Sequence, residues 1–345
     1  MGRITLHDVA EAAGVSDSTV SRALRGLDKV NPKTRIKIEE IAKQYHFVLS
    51  RSASSLASGK TMKVTMLFTE ALNTWFNSSS LQGTYEVLSE HGYDLIPHIA
   101  QSATSLNNYF ESLIGNQNSD ALMVVSLSLT ERQRDILGRT SMPVIGFDSR
   151  GIEGFDATVR IDEEDAMAAA VRLLNSLGHR NIGFVSMPNV SGLLFSSQLR
   201  SEAFRKAARS QGYSENAIEH FNPGSRDEFR SMDDAASSVV ASILSSPVHP
   251  SAICVETDDF AVALISSLRR FDIRVPQDIS IIGFDDYSLA PLAGLTTFHQ
   301  NPVEMGRIAA QQILSLLVGE QLAQPHVKMH ASLVLRDTTA AFLDK

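Results

Sequence analysis

The chain has 345 residues, 43% of them hydrophobic, which is enough for two or three domains with a sizeable core. Taken alone, the formal net charge of −8 argues against an acidic partner such as DNA. The charge is uneven, however, because residues 1–60 contain ten Lys/Arg against six Asp/Glu (+4) and the remainder carries −12. A basic first segment on an acidic body is expected when only one end of a protein meets phosphates.

Simple counts exclude several classes of protein. Cys254 is the only cysteine, so the chain can form no internal disulfide and no Cys-rich metal site, and we expect Cys254 to be a small buried residue. No apolar run reaches the ~18 residues of a membrane span, and residues 1–7 lack the apolar core of an export signal. We therefore expect a cytoplasmic protein that enters no membrane and uses no cofactor or metal.

The first helix and the turn after it can be located from single residues. Thr5 and Asp8 fit a capping box, in which each side chain accepts a hydrogen bond from the other's backbone N–H. Gly14 permits the left-handed turn that ends this helix. Ser16 is placed to cap a second helix directly after the turn.

Two more signals complete a predicted three-helix unit. Gly26 is expected to end the second helix. The pair Asn31-Pro32 opens a third helix, because proline is favoured at the first helical position. Apolar residues at helical spacing carry this third helix to about Tyr45.

The second helix has the layout of a helix-turn-helix element that reads the DNA major groove. Its polar face holds Asp17, Ser18, Ser21 and Arg22. The Arg22 guanidinium is suited to a two-bonded contact with guanine or to a phosphate. Candidate phosphate contacts, which set register rather than sequence, are Ser16, Thr19, Lys33, Thr34 and Arg35. From these residues alone, a plain helical hairpin with a solvated charged face is the alternative.

Residues 48–60 change character, because they are small, Ser-rich and nearly uncharged. Composition of this kind indicates a flexible linker. A short helix that forms only against a partner is the alternative, since isolated helices of this length are marginal in water.

From residue 63 onward, apolar strands alternate with helices. This rhythm predicts parallel sheets covered on both faces, and its repetition predicts two doubly wound subdomains. The predicted strands are Val64–Thr69, Leu95–Ala100, Ala121–Leu127, Val144–Phe147, Ile182–Met187, Ala252–Val255 and Ile279–Phe284. The predicted helices are Leu81–His91, Leu106–Gln117, Asp165–Leu177, Ser201–Gln211, Asp233–Leu244 and Asp259–Phe271. Ligands of such sheets bind at the carboxyl ends of the strands, here in a cleft between the subdomains.

Several stretches resemble one known family, the lactose-repressor (LacI) family of bacterial transcription regulators. Residues 5–16 together with Thr19-Val20-Ser21-Arg22 are very close to its signature, and Arg51-Ser52-Ala53 with Leu56 looks like its hinge helix. Residues 177–183, 275–286 and 295–300 are also typical of the family. The resemblance covers almost the whole chain in the right order.

The resemblance implies a homodimer that binds a near-palindromic site on double-stranded operator DNA. Two hinge helices would fold in the minor groove, where Leu56 would wedge into the central base step and kink the duplex. Leu49 departs from the family pattern, because many members have proline there. The DNA-binding residues implied are Thr5, Leu6, Ser16, Asp17, Ser18, Thr19, Ser21, Arg22, Asn31, Lys33, Thr34, Arg51, Ala53 and Leu56.

The same resemblance suggests how the chain is divided. Residues 1–47 would form the helix-turn-helix domain, 48–60 the hinge and 61–345 a periplasmic-binding-protein-like core for effector binding and dimerisation. Within that core we expect a first subdomain of about 61–161 plus 294–323. The second would comprise about 162–293 plus 324–345.

Particular residues can be placed in the cleft by resemblance. They are Asn73, Trp75, Phe76, Ser126, Asp148, Arg200, Thr257, Asp258 and Asp285. Carboxylates with an arginine suit the vicinal hydroxyls of a sugar, and aromatic side chains can stack on its apolar face. Thr257 stands where sugar-responsive members often have asparagine, so no specific sugar follows. A purine or a partner protein as the effector is the alternative.

Two other functions are alternatives to this interpretation. An enzyme could use the pairs Asp258-Asp259 and Asp285-Asp286, but adjacent residues of a strand point to opposite faces. The sequence also has no nucleophile elbow, phosphate-cradling glycine loop or paired-histidine metal motif. A stand-alone sugar-binding protein would carry an export signal in place of residues 1–60. We therefore predict a sequence-specific repressor controlled by a small effector, and not an enzyme.

Overall fold

The computed structural model describes residues 4–24, 30–47, 60–115, 118–190, 192–193 and 195–343. The chain divides into two units, one of residues 1–62 with 118–120 and one of the remaining residues. The predicted helix end at Gly26 and the hinge residues Leu49, Arg51, Ala53 and Leu56 lie outside the described residues.

The first unit contains a three-helix head, made of α1 (Leu6–Ala13), α2 (Asp17–Leu24) and α3 (Pro32–Gln44). The capping box is present: the Asp8 N–H donates to the Thr5 hydroxyl, and the Thr5 N–H donates to the Asp8 carboxylate at 2.7 Å. Gly14 has a φ of 70°, which is the left-handed turn predicted for it. Asn31 caps α3 and Pro32 is its first residue, as predicted.

The head is held together by a small apolar core shared by all three helices. Its buried members are Val9, Ala10, Ala13, Val20, Ala23, Ile38 and Ala42. Because the apolar residues of α2 face this core, its polar residues point to solvent.

The second unit contains two sheets, which define two subdomains of the core. The first sheet consists of β1 (Lys63–Phe68), β2 (Asp94–Ile99), β3 (Ala121–Val125), β4 (Val144–Phe147), β5 (Ala157–Ile161) and β11 (His326–Met329). These strands are parallel, in the order β11-β5-β4-β3-β1-β2. The central strands are almost wholly apolar and buried because helices cover both faces.

The second sheet consists of β6 (Ile182–Val185), β7 (Ile218–Phe221), β8 (Ala252–Val255), β9 (Ser280–Asp285), β10 (Thr296–His299) and β12 (Ser332–Val334). Its order is β12-β10-β9-β8-β6-β7, and only the pairing of β10 with β12 is antiparallel among the strands described. The prediction of two parallel-sheet subdomains is confirmed.

Helices flank both sheets. Those with the first sheet are α4 (Trp75–Glu90), α5 (Ala103–Ser112), α6 (Glu131–Leu137) and α12 (Pro302–Leu317). Those with the second are α7 (Glu163–Ser176), α8 (Leu199–Ser210), α9 (Met232–Ser245), α10 (Asp258–Arg270) and the short α11 (Leu289–Leu292). No helix in the described part of the chain combines the length and apolarity needed to cross a membrane.

The chain passes between the subdomains after β5, after β10 and after β11. The predicted boundaries at 294 and 324 therefore need correction. Strand β10 pairs with β9 of the second sheet, and β11 pairs with β5 of the first, so the later passages lie near residues 300 and 330.

Candidate functional sites

The outward face of α2 carries the predicted base-reading residues. Asp17, Ser18 and Arg22 are exposed, whereas Ser21 is half-buried. The polar surface thus begins at the N-terminal end of α2, the part that a helix-turn-helix directs at base edges, and extends to Arg22 near its other end.

The N-terminus of α2 is ordered by hydroxyl groups. The Ser16 Oγ lies 2.9 Å from both the Ser18 Oγ and the Thr19 Oγ1, and it accepts the Thr19 N–H at 3.3 Å. This contact satisfies a free donor at the helix start, as predicted for Ser16. The three hydroxyls thus form one cluster beside the reading face.

Asp17 has a partner that sequence analysis missed. Its Oδ1 lies 3.2 Å from the His7 Nδ1, and this hydrogen bond raises the pKa of His7. The two residues are ten positions apart, on different helices, so only the turn at Gly14 brings them together. A protonated His7 offsets the Asp17 charge, which would otherwise repel phosphates.

The other predicted DNA-contacting residues of the head differ in their exposure to solvent. Thr5, Asn31 and Lys33 are exposed, while Leu6 and Thr34 are half-buried. The Asn31 side chain accepts the Lys33 N–H at 2.9 Å, so Asn31 also holds the start of α3.

In the core, a cavity of about 90 Å³ lies between the carboxyl ends of the strands of the two sheets. Six of the predicted effector residues line it: Phe76, Ser126, Asp148, Arg200, Thr257 and Asp285. Lining residues that sequence analysis missed are Glu70, Met187, Pro188, Asn189, Phe195, Ser196, Ser197, Glu256 and Gln300.

Arg200 is held in the cavity wall by three kinds of contact. Its Nε donates to both carboxylate oxygens of Glu163 at 3.0 Å, and its Nη1 donates to the Glu256 carbonyl at 2.6 Å. The guanidinium carbon stands 3.6 Å from the ring centroid of Phe284. Arg200 is only 3% exposed, so the nearby carboxylates balance its charge and fix its orientation.

Desolvation raises the pKa values of several carboxyl groups of the cavity, of which Glu256 is buried and two are half-buried. This is so for Glu70, for Glu256 and, most strongly, for Asp285. Asp285 accepts a hydrogen bond from the Gln300 Nε2 at 2.6 Å, and Glu256 accepts the Met187 N–H at 2.9 Å. A raised pKa makes a carboxyl group easier to protonate, and a protonated carboxyl group can donate as well as accept hydrogen bonds.

Direct hydrogen bonds join the two subdomains beside this cavity. The Ser196 hydroxyl donates to the Asp148 carboxylate at 2.8 Å, and the Ser196 N–H donates to the Ser126 carbonyl at 3.1 Å. Arg150 donates to the Glu202 carboxylate at 3.0 Å. Ser126 and Asp148 have φ values of 56° and 48°, a left-handed conformation that turns the chain sharply after β3 and β4.

Three predicted effector residues are not part of the cavity wall. Asp258 is fully buried, and it accepts the Thr297 hydroxyl at 2.6 Å and the Asp286 N–H at 2.8 Å. Trp75 packs on Tyr287 with 6.3 Å between ring centroids, and Asn73 is exposed. Asp258 therefore organises the loop after β9 and does not line the cavity.

Comparison with known proteins identifies two domains in the chain. Residues 5–49 match the family described as bacterial regulatory proteins, lacI family, and residues 171–339 match a periplasmic binding protein-like domain. The chain belongs to the LacI family. It is thus a DNA-binding transcription repressor with an effector-binding core, and not an enzyme.

The similarity to LacI-family proteins extends along almost the whole chain. The ribose operon repressor of Escherichia coli (strain K12) is 27% identical over 336 residues, which are 96% of this chain and 98% of that protein. The repressor PurR of Vibrio cholerae serotype O1 (strain M66-2) is 28% identical over 338 residues, 97% of each chain. The structure of the lac repressor dimer bound to operator and the anti-inducer ONPF has the same fold, with a TM-score of 0.82, 23% identity and coverage of 99% of this chain and 100% of that one.

Proposed function

We propose that this LacI-family repressor binds a near-palindromic operator as a homodimer and is controlled by a neutral sugar in the cavity between its core subdomains. The observation that carries the proposal is the wall of the cavity, where Asp148, Arg200 and Asp285 converge with two aromatic rings.

The charges of the cavity favour a neutral ligand. Glu70, Asp148, Glu256 and Asp285 line it, whereas Arg200 is the one cation in its wall among the residues described. Arg200 is already paired with Glu163, so a phosphorylated or carboxylated effector would meet an excess of acidic groups. Hydroxyl groups can donate to ionised carboxylates and accept from protonated ones, and most carbons of a monosaccharide carry such a hydroxyl.

The aromatic residues of the wall complete the fit to a sugar. Phe76 and Phe195 line the cavity and offer apolar faces on which the C–H side of a sugar ring can stack. The name of the ribose operon repressor, one of the relatives, points to the same class of ligand. PurR, the other relative, has a name that points to purines, which an effector screen must therefore include.

Effector control would act through the contacts between the subdomains. A cavity of about 90 Å³ is smaller than the 300–1,000 Å³ of common ligand sites, so a ligand gains access only when the subdomains move apart. The bonds of Ser196 to Asp148 and to Ser126 would re-form around it. For DNA affinity to change, the effector must bind the open and closed arrangements with different affinity.

A selection from random duplexes, followed by an effector screen, tests this proposal. The selected site should be a near-palindrome, and a monosaccharide should both raise Tm and change the affinity for that site. Arg22→Ala should lose discrimination among sites and keep the response of Tm to the sugar. Asp285→Asn should keep the discrimination among sites and lose the response of Tm to the sugar. The proposal is wrong if nucleobases change the DNA affinity and no sugar does so.

A further inference from the structure

A second cavity of about 380 Å³ lies in the core, next to the effector cavity. Its wall includes residues from the ends of β5 and β11, among them Arg160 and Lys328, and from the first turns of α7 and α8. Its volume falls within the range of sites that hold small molecules. Nothing in the proposed function uses this cavity.

Arg160 is the unusual residue of this wall. Its Nε is buried and has no hydrogen-bond partner among the residues that the structure describes. A buried donor of a charged group without an acceptor is costly, since the group has lost its contact with water. Arg160 is also the register partner of Lys328 on the neighbouring strand β11, so two cations lie side by side.

Most of the other charged residues of the wall already form ion pairs. Arg150 pairs with Glu202 at 3.0 Å, and Lys206 pairs with Glu164 at 2.8 Å. Lys328 reaches the Asp162 carboxylate at 3.3 Å, a longer contact made from a side chain that is 46% exposed. Glu163 pairs with Arg200, and Asp148 accepts the Ser196 hydroxyl. Among the residues described, none of these acidic groups forms an ion pair with Arg160.

We propose that this cavity binds a small metabolite through an anionic group, a phosphate or a carboxylate, held between Arg160 and Lys328. Such a group would accept the Arg160 Nε–H and lie between two cations that otherwise repel each other. The paired acidic residues elsewhere in the wall confine the anionic group to the side formed by β5 and β11.

The two cavities share part of their walls, so their ligands are coupled. Asp148 and Ser196, which hydrogen-bond to each other, line both. Glu163 of the second cavity is the ion-pair partner of Arg200 in the effector cavity. An anion in the second cavity therefore changes the affinity of the first for its ligand, and by linkage the effect is reciprocal.

Titration of the full chain with inorganic phosphate and with citrate, in chloride buffer of constant ionic strength, tests anion binding without any sugar. Saturable binding is expected, and Arg160→Met should weaken it about tenfold or more. The matched control is Arg132→Met, which removes an arginine whose side chain is 79% exposed and leaves the cavity intact. The titration with phosphate and the titration with citrate together distinguish a phosphate ligand from a carboxylate ligand.

A second variant covers the case in which Arg160→Met does not fold. Lys328→Gln changes a half-exposed side chain at the edge of the sheet, and it should also weaken anion binding while Arg132→Met does not. Equal anion affinity in the native chain, Arg160→Met and Lys328→Gln would overturn the proposal, because any binding would then lie elsewhere. Since no sugar is present, this result is independent of the proposed function.

Discussion

Arg200 and Asp258 have different roles in the core, because Arg200 lines the cavity whereas Asp258 is buried and holds the loop after β9. Resemblance to the family placed Arg200 in the cavity, where the structure has it. Its partner Glu163 was missed, because 37 residues separate the pair and only the packing of α7 against α8 joins them. Asp258 was misplaced for a local reason. It is the first residue of α10, and its carboxylate turns back to the loop after β9 instead of facing the cavity.

The burial of Asp258 has a consequence for stability. Burial raises the pKa of its carboxyl group from the usual 3.8 to about 6, although hydrogen bonds from Thr297 and from the Asp286 N–H oppose the shift. The folded chain therefore holds this proton more tightly than the unfolded chain. The resulting stabilisation is fully present below about pH 4 and is lost as the pH rises through about 6.

We compare the free energy of unfolding of the native chain with that of Asp258→Asn. We expect the difference, native minus variant, to fall by up to about 3 kcal/mol as the pH rises from about 4 through about 6. Urea unfolding at a series of pH values measures it. Asp135→Asn, which removes an exposed carboxylate, should keep the pH dependence of the native chain. A parallel pH profile for the native chain and Asp258→Asn would contradict the expectation.

At the scale of helices and strands, the continuous apolar segments were predicted well. The seven predicted strands are present, with their ends shifted by no more than two residues. The five that were missed (β5, β7, β10, β11 and β12) are only three to five residues long. Short strands that carry polar residues have too little periodicity to be distinguished from loops, and their pairing is a long-range property.

The subdomain boundaries were misjudged for a related reason. The passage from β10 to α12 was missed because β10, with two threonines and a histidine among its four residues, has no apolar run that would indicate a strand. Only the register of β10 beside β9, and of β11 beside β5, assigns these segments to their sheets. Sequence alone therefore predicts the two subdomains, but it does not predict where the chain passes between them.

Two glycines let α4 and α12 approach closely. A Cβ at Gly83 would overlap the backbone of Val303, and a Cβ at Gly306 would lie 2.7 Å from the Ser80 carbonyl oxygen. Neither neighbour can yield, because both are backbone atoms of a packed helix pair.

We expect Gly83→Ala and Gly306→Ala each to lower the free energy of unfolding by at least about 1–3 kcal/mol through overpacking. Gly115→Ala is the matched control, because a Cβ at Gly115 meets nothing within 4 Å. Chemical denaturation of the three variants provides the measurement. If Gly83→Ala were as stable as Gly115→Ala, the close approach of the helices would be refuted.

At the scale of the whole molecule, the charge distribution governs how DNA is held. The first 60 residues carry +4 and the remainder −12, so phosphate contacts fall to a small basic head. Binding of this kind releases counterions, and affinity then falls steeply with salt.

We expect the logarithm of the operator affinity to fall linearly with the logarithm of the salt concentration, with a loss of about 10³-fold or more between 50 and 200 mM. Fluorescence anisotropy with a labelled duplex measures the slope. Lys33→Gln, at an exposed position of the head, should make this log–log slope shallower by about 1 for each head that binds the duplex. Arg132→Gln, in the core, should leave it unchanged, and a flat slope for the native chain would rule out binding through phosphates.

The order of the strands also affects how the protein is made. The segment that follows residue 300 supplies α12 and the edge strand β11 to the first subdomain, and β12 to the second. Neither subdomain can be completed during synthesis until residues 326–334 have left the ribosome, whereas the head closes its apolar core between Val9 and Ala42. A premature stop codon between residues 300 and 326 would therefore leave a DNA-binding head with a closed apolar core attached to an unfinished effector-binding core.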